Sequence, residues 1–275
     1  MAALASGAGA NKTMHSDAVD DFKERIGIKT VPGLDATDGI RADWQALPTV
    51  ISRQVSPLKL HWNQVIPIEP GLAKATFSWK RGTGSIEVWV FVSGIGPGHV
   101  REHLVLLASR TSRLTIPYER GPAHLGDVAI QHVAGPSTTI NWTFRNVLVH
   151  VDNAGTGTPV EPIARAIQQY MEEHLAERIS SYAPKVDDLE VVPRSIRVGD
   201  EVRLRVMLAK GTLAETLETS IDQGSERLLN AENITALSGT YRAKRPGRSR
   251  IDILLVDRKT LLSPALSVPI EVLPR

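Results

Sequence analysis

The sequence contains no cysteine among its 275 residues. This absence excludes disulfide bonds, thiol catalysis, cysteine-ligated zinc sites and iron–sulfur clusters in a single step. It also means that cysteine usage gives no information about the redox compartment in which the protein works.

Long apolar runs are also missing. No stretch approaches the roughly 18 apolar residues that a helix needs to cross a bilayer, so the sequence predicts no membrane span. The start, MAALASGAGANKTMHSD, lacks the basic first segment and the apolar centre of a signal peptide. We expect residues 1–15 to form a flexible tail, which is also what an exported protein could retain after removal of a leader.

A dominant charge is the third missing feature. The chain has 32 basic and 30 acidic residues, and its formal net charge is +2. Hydrophobic residues make up 42% and charged residues 23% of the chain, which is typical of a globular protein. Because neither sign dominates, nucleic acid is not an expected partner.

Period-two alternation is the main pattern between residues 57 and 151. In AKATFSWK (73–80), apolar residues alternate with polar ones, as in a strand with one buried face. RGTGS then predicts a hairpin turn into a second strand over 85–93. Helical spacing predicts helices over 16–28 and 38–55. Further apolar runs predict the remaining strands of a sheet of six or seven: 58–68, 102–108, 113–118, 126–133 and 139–151.

A glycine turn followed by a helical repeat ends this part of the chain, in NVLVHVDNAGTGTPVEPIARAIQQYMEEHL (146–175). Apolar residues recur at helical spacing from Val160 to Ile179, so we expect a helix of five turns with one stripe against the sheet. Thr158 and Glu161 fit a capping box, in which these side chains satisfy the free N–H groups of the first turn. We therefore interpret the turn as a helix start and not as a phosphate site.

The last third of the chain has a different character. SSYAPKVDD (180–188) predicts a linker, and beyond it short alternating segments at 202–208, 251–255 and 268–272 predict a β-sandwich. SIRVGDEVRLRV, SGTYRAKRPGRSRIDILLVD and ALSVPIEVLP resemble the immunoglobulin-like domains of exported and surface-bound bacterial proteins. The resemblance implies a spacer or binding module. It does not imply an antibody function, because the cysteine pair and the core tryptophan are missing.

The earlier part of the chain has a weaker resemblance. LGDVAI, FRNVLVHV and IARAI are similar to a pattern in exported bacterial proteins of unknown function, which implies no activity. The expected fold class is α+β. We expect a domain over 16–182, mainly an antiparallel sheet packed by the long amphipathic helix, followed by an immunoglobulin-like β-sandwich domain over 183–275.

The segment HVREH matches the H-x-x-E-H motif of inverzincin metallopeptidases. On a helix, His99 and His103 lie one turn apart and can share a zinc ion, with Glu102 polarising the attacking water. On a strand they stand about 13 Å apart and cannot share a metal. The segment fits either a helix or a hairpin, and we favour two surface or edge histidines. A third ligand could come from the long helix, at Glu172, Glu173 or Glu177.

Two further groups of residues bear on binding. YRAKRPGRSR (241–250) has five basic residues and no acidic one. It could hold a cell-wall polymer or an anionic sugar through Arg242, Lys244, Arg245 and Arg248. We favour a solvated hairpin turn whose charges protect a strand edge. Five tryptophans could stack on sugars, although filling a core is their commoner role: Trp44, Trp62, Trp79, Trp89 and Trp142.

These patterns together predict a non-catalytic binding or assembly protein outside the cytoplasm, whether secreted, periplasmic or at the cell surface. The expected partner is a protein or a cell-surface polymer, and no cofactor, catalytic residue or metal ligand is predicted. Two alternatives stay open: a small zinc hydrolase that uses His99, Glu102 and His103, and a module that binds carbohydrate or cell-wall polymers. The pattern gives no oligomeric state.

Overall fold

The computed structural model describes residues 17–28, 38–110, 116–133, 138–222 and 229–275. Its architecture is α+β with more strand than helix, as the sequence predicts. We call the described residues up to 182 the N-terminal region and the described residues from 183 the C-terminal region. The predicted tail over 1–15 lies outside the described residues.

The elements follow in chain order. The helices are α1 (residues 17–25), α2 (Leu47–Val50), α3 (Ser52–Val55), α4 (Pro97–Ser109) and α5 (Val160–Glu172). The strands of the N-terminal region are β1 (Gly39–Ile40), β2 (Lys59–Glu69), β3 (Leu72–Arg81), β4 (Gly84–Ser93), β5 (Tyr118–Arg120), β6 (Val128–His132), β7 (Thr139–Phe144), β8 (Val147–Ala154) and β9 (Leu175–Ala176). Those of the C-terminal region are β10 (Val186–Val192), β11 (Ser195–Arg197), β12 (Glu201–Leu208), β13 (Leu217–Asp222), β14 (Asn230–Asn233), β15 (Ala236–Arg242), β16 (Gly247–Asp257) and β17 (Leu266–Leu273). Short 3-10 helices occupy Trp44–Ala46, Ile179–Tyr182 and Ala214–Thr216.

The N-terminal region is built on a seven-stranded antiparallel sheet in the order β2-β3-β4-β8-β7-β6-β5. The predicted hairpin between β3 and β4 is confirmed, and Gly82 in its turn has a φ of 60°. Because successive side chains point to opposite faces, Val90 and Phe91 of β4 belong to different cores. Helices α2, α3 and α5 cover the face of Val90, and α1 and α4 cover part of the face of Phe91.

Two element predictions for this region are wrong. The residues 38–55 form β1, a 3-10 turn, α2 and α3 instead of one helix, because β1 pairs with β9 and Pro48 opens α2. The run 102–108 is helical and belongs to α4, which begins after Gly96 with Pro97 in its first turn, where a missing N–H does no harm. Of the apolar helical stripe that the sequence also allowed, Val100, Leu104 and Ala108 are buried and Leu107 is half-buried.

The long helix also differs from its prediction. Helix α5 ends at Glu172, and the last two predicted stripe residues lie elsewhere, Leu175 exposed in β9 and Ile179 buried in a 3-10 helix. The predicted capping box is wrong, because Pro159 occupies the N-cap and Glu161 pairs with Arg165 at 2.6 Å. Leu175 and Ala176, which follow α5, form strand β9 and pair with β1. The predicted helix is therefore interrupted at this point.

The C-terminal region has two four-stranded sheets, in the orders β10-β12-β15-β14 and β11-β17-β16-β13. One apolar cluster contains buried residues from both sheets, so the sheets share a core. The alternating side chains that predicted β12 are all buried: Val202, Leu204, Val206 and Leu208. No helix in the described residues has both the length and the apolar character required to cross a bilayer.

A loop of the C-terminal region enters the core of the N-terminal region. We call residues 257–265 the bridging loop. Leu261 and Leu262 are fully buried there in the same apolar cluster as residues of α2 and α5, and the backbone N–H of Trp44 donates to the Lys259 carbonyl at 2.9 Å. Gly94 lies against the Ser263 carbonyl, where a side chain would clash. The domain boundary at 182/183 stays a prediction, and this loop carries contacts across it.

Candidate functional site

The H-x-x-E-H segment lies on the first turns of α4, which is the helical setting that a zinc site requires. His99 is half-buried, Glu102 is exposed and His103 is buried. The structure therefore decides the secondary structure that the sequence left open. The three side chains differ in what surrounds them, and those surroundings decide what they can do.

Both ring nitrogens of His99 already have partners. Nε2 lies 2.9 Å from Glu69 Oε1, and Nδ1 lies 3.2 Å from Ser93 Oγ. Ser93 Oγ also accepts the N–H groups of Ile95 and Gly96, at 3.0 and 3.1 Å. A hydroxyl has one proton and two lone pairs, so Ser93 donates to Nδ1 and neutral His99 carries its proton on Nε2.

The order Ser93, His99, Glu69 resembles a catalytic triad, but its geometry serves another purpose. Ser93 is fully buried, and both lone pairs of its oxygen are taken by backbone N–H groups. A nucleophile needs an accessible oxygen with a free lone pair. We interpret Ser93 as a hydrogen-bonding group that fixes the turn before α4 and orients His99 towards Glu69.

His103 packs against the sheet, with its ring centroid 4.7 Å from that of Phe91. Burial lowers the pKa of His103 from its usual value of 6.5, and Glu69 acts in the opposite direction. Within the described residues, no group of three or more histidine, aspartate or glutamate side chains is placed to hold a metal ion.

The predicted source of a third zinc ligand lies on the other side of the sheet. Helix α5 covers the face of Val90, whereas α4 covers the face of Phe91. Glu172 and Glu173 accept hydrogen bonds from their own helix, from Gln168 and Gln169. Glu177 is exposed beyond the end of α5. The sheet therefore separates Glu172 and Glu173 from His99 and His103.

A cleft of about 850 Å³ opens beside His99, and both regions of the chain line it. We call it the junction cleft. Its N-terminal wall contains Glu69, Pro70, Ile95 and His99. Its C-terminal wall contains Arg248, Ser249, Arg250, Asp252, Ala265 and Pro269. The fold therefore places a histidine of the H-x-x-E-H segment and arginines of the basic segment 241–250 on one concave surface.

The basic segment has a different topology from its prediction. Arg242 ends β15 and Gly247 begins β16, and these strands belong to different sheets, so the predicted hairpin is wrong and residues 243–246 cross between sheets. Among the described residues, residues 247–251 pair only with β17, whereas β13 pairs with β16 from Asp252 onwards.

The cations of this basic turn (residues 242–248) divide into two groups. Arg242 pairs with Glu201 at 2.8 Å. Lys244, Arg245 and Arg248 are exposed, and no described residue forms a hydrogen bond or ion pair with them. They line a smaller concavity of about 390 Å³ that shares Arg248 and Ser249 with the junction cleft.

A hydrogen-bonded network stiffens the floor of the junction cleft. Arg250 Nε donates to Ser267 Oγ at 2.8 Å, and Ser267 Oγ donates to Asp252 Oδ1 at 2.7 Å. Arg250 Nη2 lies 3.9 Å from the same carboxylate oxygen. Arg250 is thereby held in the network, whereas Arg248 beside it points its charge to solvent without such a partner among the described residues.

A larger concavity of about 940 Å³ lies on the outer face of the sheet that contains β12. Inside this concavity, Arg205 makes two contacts with the Glu232 carboxylate, at 2.9 and 3.4 Å. It belongs to one sheet of the C-terminal region and contains no residue of the N-terminal region. We therefore regard the junction cleft as the better candidate site.

The tryptophans mostly fill cores, as the sequence predicts. Trp44, Trp79 and Trp142 are buried in the N-terminal core. Trp89 is half-buried and stacks on His150 at 4.4 Å. Trp62 on β2 is 40% exposed, and none of the five lines the junction cleft. A sugar platform made of tryptophans is therefore not found at this site.

Sequence reasoning did not identify Glu69 or Asp252 as members of a site. Each stands in an ordinary strand pattern, so no local signal distinguishes it. Comparisons gave no match to this chain among family models, curated proteins or solved structures.

Proposed function

We propose that this protein is a non-catalytic binding protein that works outside the cytoplasm and holds its partner in the junction cleft. The observation that supports this function most directly is the shared construction of the cleft. Residues of α4 and β2 form one wall, and residues of β16 and β17 form the other. Binding sites concentrate at such junctions between packed units.

The bridging loop supports the same proposal. Leu261 and Leu262 anchor the C-terminal region in the N-terminal core, so the two walls are held in a defined relation. A cleft fixed before the partner arrives loses less conformational entropy on binding. Ser93 and His99 contribute to this fixed shape through their hydrogen bonds and not through chemistry on a substrate.

Residues 183–275 form, in this proposal, an immunoglobulin-like module that supplies one wall of the cleft. Two sheets that share one core support this interpretation. The residues 16–182 form the α+β domain that supplies the other wall. The extracytoplasmic location rests on the resemblance to modules of exported proteins, and fractionation of the source cells with an antibody against this chain tests it.

The binding function is tested by filling the cleft. Ala265 is exposed at the cleft, so Ala265→Trp adds bulk there without entering a core. We expect this variant to lose most of the binding that the unaltered protein shows to isolated cell-wall polymers in a co-sedimentation assay. Ala231→Trp, at an exposed position on β14, is the matched control and should bind as before. Equal binding by both variants would refute a role for the cleft.

A zinc hydrolase is the alternative function, and the helical position of His99 and His103 is the observation that favours it. Metal analysis of protein purified without a histidine tag separates the two functions. Stoichiometric zinc that disappears in His103→Ala would replace the binding function with the hydrolase. We expect less than one-tenth of an equivalent, about the level of adventitious metal, because His99 lacks a free ring nitrogen.

A further inference from the structure

We propose that the ligand of the junction cleft is an acidic polysaccharide, whose carboxylate groups bind Arg248, Arg245 and Lys244 along a track that leaves the cleft over the basic turn. This inference rests on the proposed binding function and adds the chemistry of the ligand. It follows from three features of the same surface: its unmatched cations, its carboxylates and its apolar patches.

Arg248, Arg245 and Lys244 define the course of the proposed binding track. Arg248 lines both the junction cleft and the concavity of the basic turn, which makes the two concavities neighbours. Arg245 and Lys244 continue the line over the turn. An extended chain that carries negative charges can therefore contact all three residues in sequence. Because no described residue pairs with these cations, a ligand does not have to break an ion pair to reach them.

The carboxylates argue against a densely charged ligand. Glu69 and Asp252 line the same cleft as Arg248, and each brings a negative charge close to the bound chain. A polyphosphate or a nucleic acid has one charge on every phosphate and would be repelled at these two positions. A sugar hydroxyl, in contrast, donates a hydrogen bond to a carboxylate, which then becomes part of the recognition.

The apolar contacts point in the same direction. Pro70, Ile95, Ala265 and Pro269 line the cleft between its charged groups. Ile95 is half exposed. Sugar rings have apolar faces of C–H groups that can cover such side chains, whereas a phosphate chain has none. Alternating cations, carboxylates and apolar contacts therefore fit a glycan that carries a carboxylate on some or all of its sugars.

Arginine suits this task better than lysine, because its planar guanidinium binds a carboxylate through two parallel hydrogen bonds. Arg248 is the residue shared by both concavities, so we expect it to contribute most. The interactions are exposed to solvent, and salt should therefore weaken them. The weak net charge of +2 means that binding depends on this local cluster and not on a general positive charge.

The experiment measures binding of the full chain to polygalacturonate oligomers of about ten sugars by titration calorimetry at low salt. Dextran supplies a neutral glycan and inorganic polyphosphate supplies a dense polyanion. We expect binding to polygalacturonate only, with affinity reduced about tenfold or more in Arg248→Gln, which removes a charge-assisted hydrogen-bonding pair. Lys244→Gln with Arg245→Gln should reduce the affinity by a smaller factor.

Arg205→Gln is the matched control, because Arg205 is an exposed arginine of the same region that pairs with Glu232 outside the cleft. It should bind polygalacturonate like the unaltered protein. All substituted side chains are exposed, and unchanged melting temperatures would show that the variants fold. Tighter binding of polyphosphate, equal binding of dextran, or an Arg248→Gln variant with full affinity would each overturn the proposed ligand class.

The cleft-filling variant separates this inference from the proposed function. If Ala265→Trp abolishes binding to cell-wall polymers while Arg248→Gln leaves it intact, the cleft binds a partner that is not an acidic glycan. If polygalacturonate binds and Ala265→Trp has no effect, the ligand class holds but the site lies outside the cleft. If no polymer binds, both the function and the ligand class are refuted.

Discussion

Selected polar side chains of the two regions differ in whether groups inside the protein or solvent satisfy them. In the N-terminal region, His150 is half-buried, stacks on Trp89 and bonds to Asn141 at 2.7 Å, and Ser93 and His99 are fully engaged in hydrogen bonds. In the C-terminal region, Lys244, Arg245 and Arg248 are exposed without a partner among the described residues.

This contrast separates structural polar groups from groups that can serve a ligand. A buried polar group must be paired inside the protein, because leaving it unpaired costs free energy. An exposed cation is satisfied by water and can exchange that water for a ligand. The polar groups of Ser93 and His99 are therefore satisfied inside the protein, whereas the charges of Lys244, Arg245 and Arg248 are open to solvent.

The largest expected effect tests whether the C-terminal region contributes to the core of the N-terminal region. Leu262 belongs to the C-terminal region by sequence but is fully buried in the N-terminal core. We expect Leu262→Ala to lower the free energy of unfolding by about 2–5 kcal/mol, because it leaves a cavity in that core. Urea denaturation followed by tryptophan fluorescence measures this loss, since all five tryptophans lie before residue 150.

Leu273→Ala is the matched control, because Leu273 is 41% exposed at the end of β17. It should change the free energy of unfolding by less than about 1 kcal/mol. Equal effects of the two substitutions would mean that the bridging loop does not contribute to the N-terminal core.

The second effect tests His150, which is half-buried against Trp89. Burial lowers the pKa of His150 from 6.5 to about 4, with Lys74 acting in the same direction and Asp152 against it. The unfolded chain therefore binds more protons than the folded one between pH 6.5 and about 4. The contribution of His150 to the free energy of unfolding is fully present above pH 6.5. It is lost as the pH drops through this window, and the loss amounts to about 3 kcal/mol.

Urea denaturation at a series of pH values measures this loss, and His150→Gln provides the comparison. The variant keeps a polar group for Asn141 but cannot gain a proton in this window. We expect it to lose less stability than the unaltered protein between pH 6.5 and 4. Parallel pH curves for the two proteins would show that His150 is not the group responsible.

The smallest expected effect tests the contact between Gly94 of the N-terminal region and Ser263 of the bridging loop. A β-carbon at Gly94 would clash with the Ser263 carbonyl, whereas one at Gly98 meets nothing within 4 Å. We expect Gly94→Ala to lower the free energy of unfolding by about 1–3 kcal/mol. Gly98→Ala, within α4, should raise it by up to about 1 kcal/mol, because alanine favours a helix. Thermal denaturation of both variants measures these changes in stability. A Gly94→Ala variant more stable than the unaltered protein would contradict the close packing of Gly94 against Ser263.

Much of the fold could be predicted from local pattern. The alternation in AKATFSWK identified β3, and the hairpin glycine placed β4 beside it. Helix α4 could not be predicted with the same certainty, because LVLLA is apolar at nearly every position and fits a buried strand or a helix equally well. The stripe of α5 was correct in its buried residues, but its end depended on β1, which lies more than a hundred residues earlier.

The candidate site could be predicted from local sequence pattern even less well than the fold. HVREH and the basic turn are visible as motifs, yet nothing local indicates that His99 and Arg248 line one cleft. The role of His99 depends on Ser93 and Glu69, of which only Ser93 is close in sequence. A motif defines which atoms are present, and only the neighbours define which of them are free.

The amino-acid sequence by itself determined the α+β class, the two alternating patterns that become sheets, and the exclusion of thiol chemistry. These features depend on side-chain period and composition, which are local. Only the tertiary structure decided that Leu261 and Leu262 of the bridging loop enter the core of the other region, and that the first histidine of the zinc motif is held by hydrogen bonds and lines one cleft with the basic turn. Those outcomes depend on contacts between residues far apart in the chain, and the energy of such contacts is set by packing that no local pattern encodes.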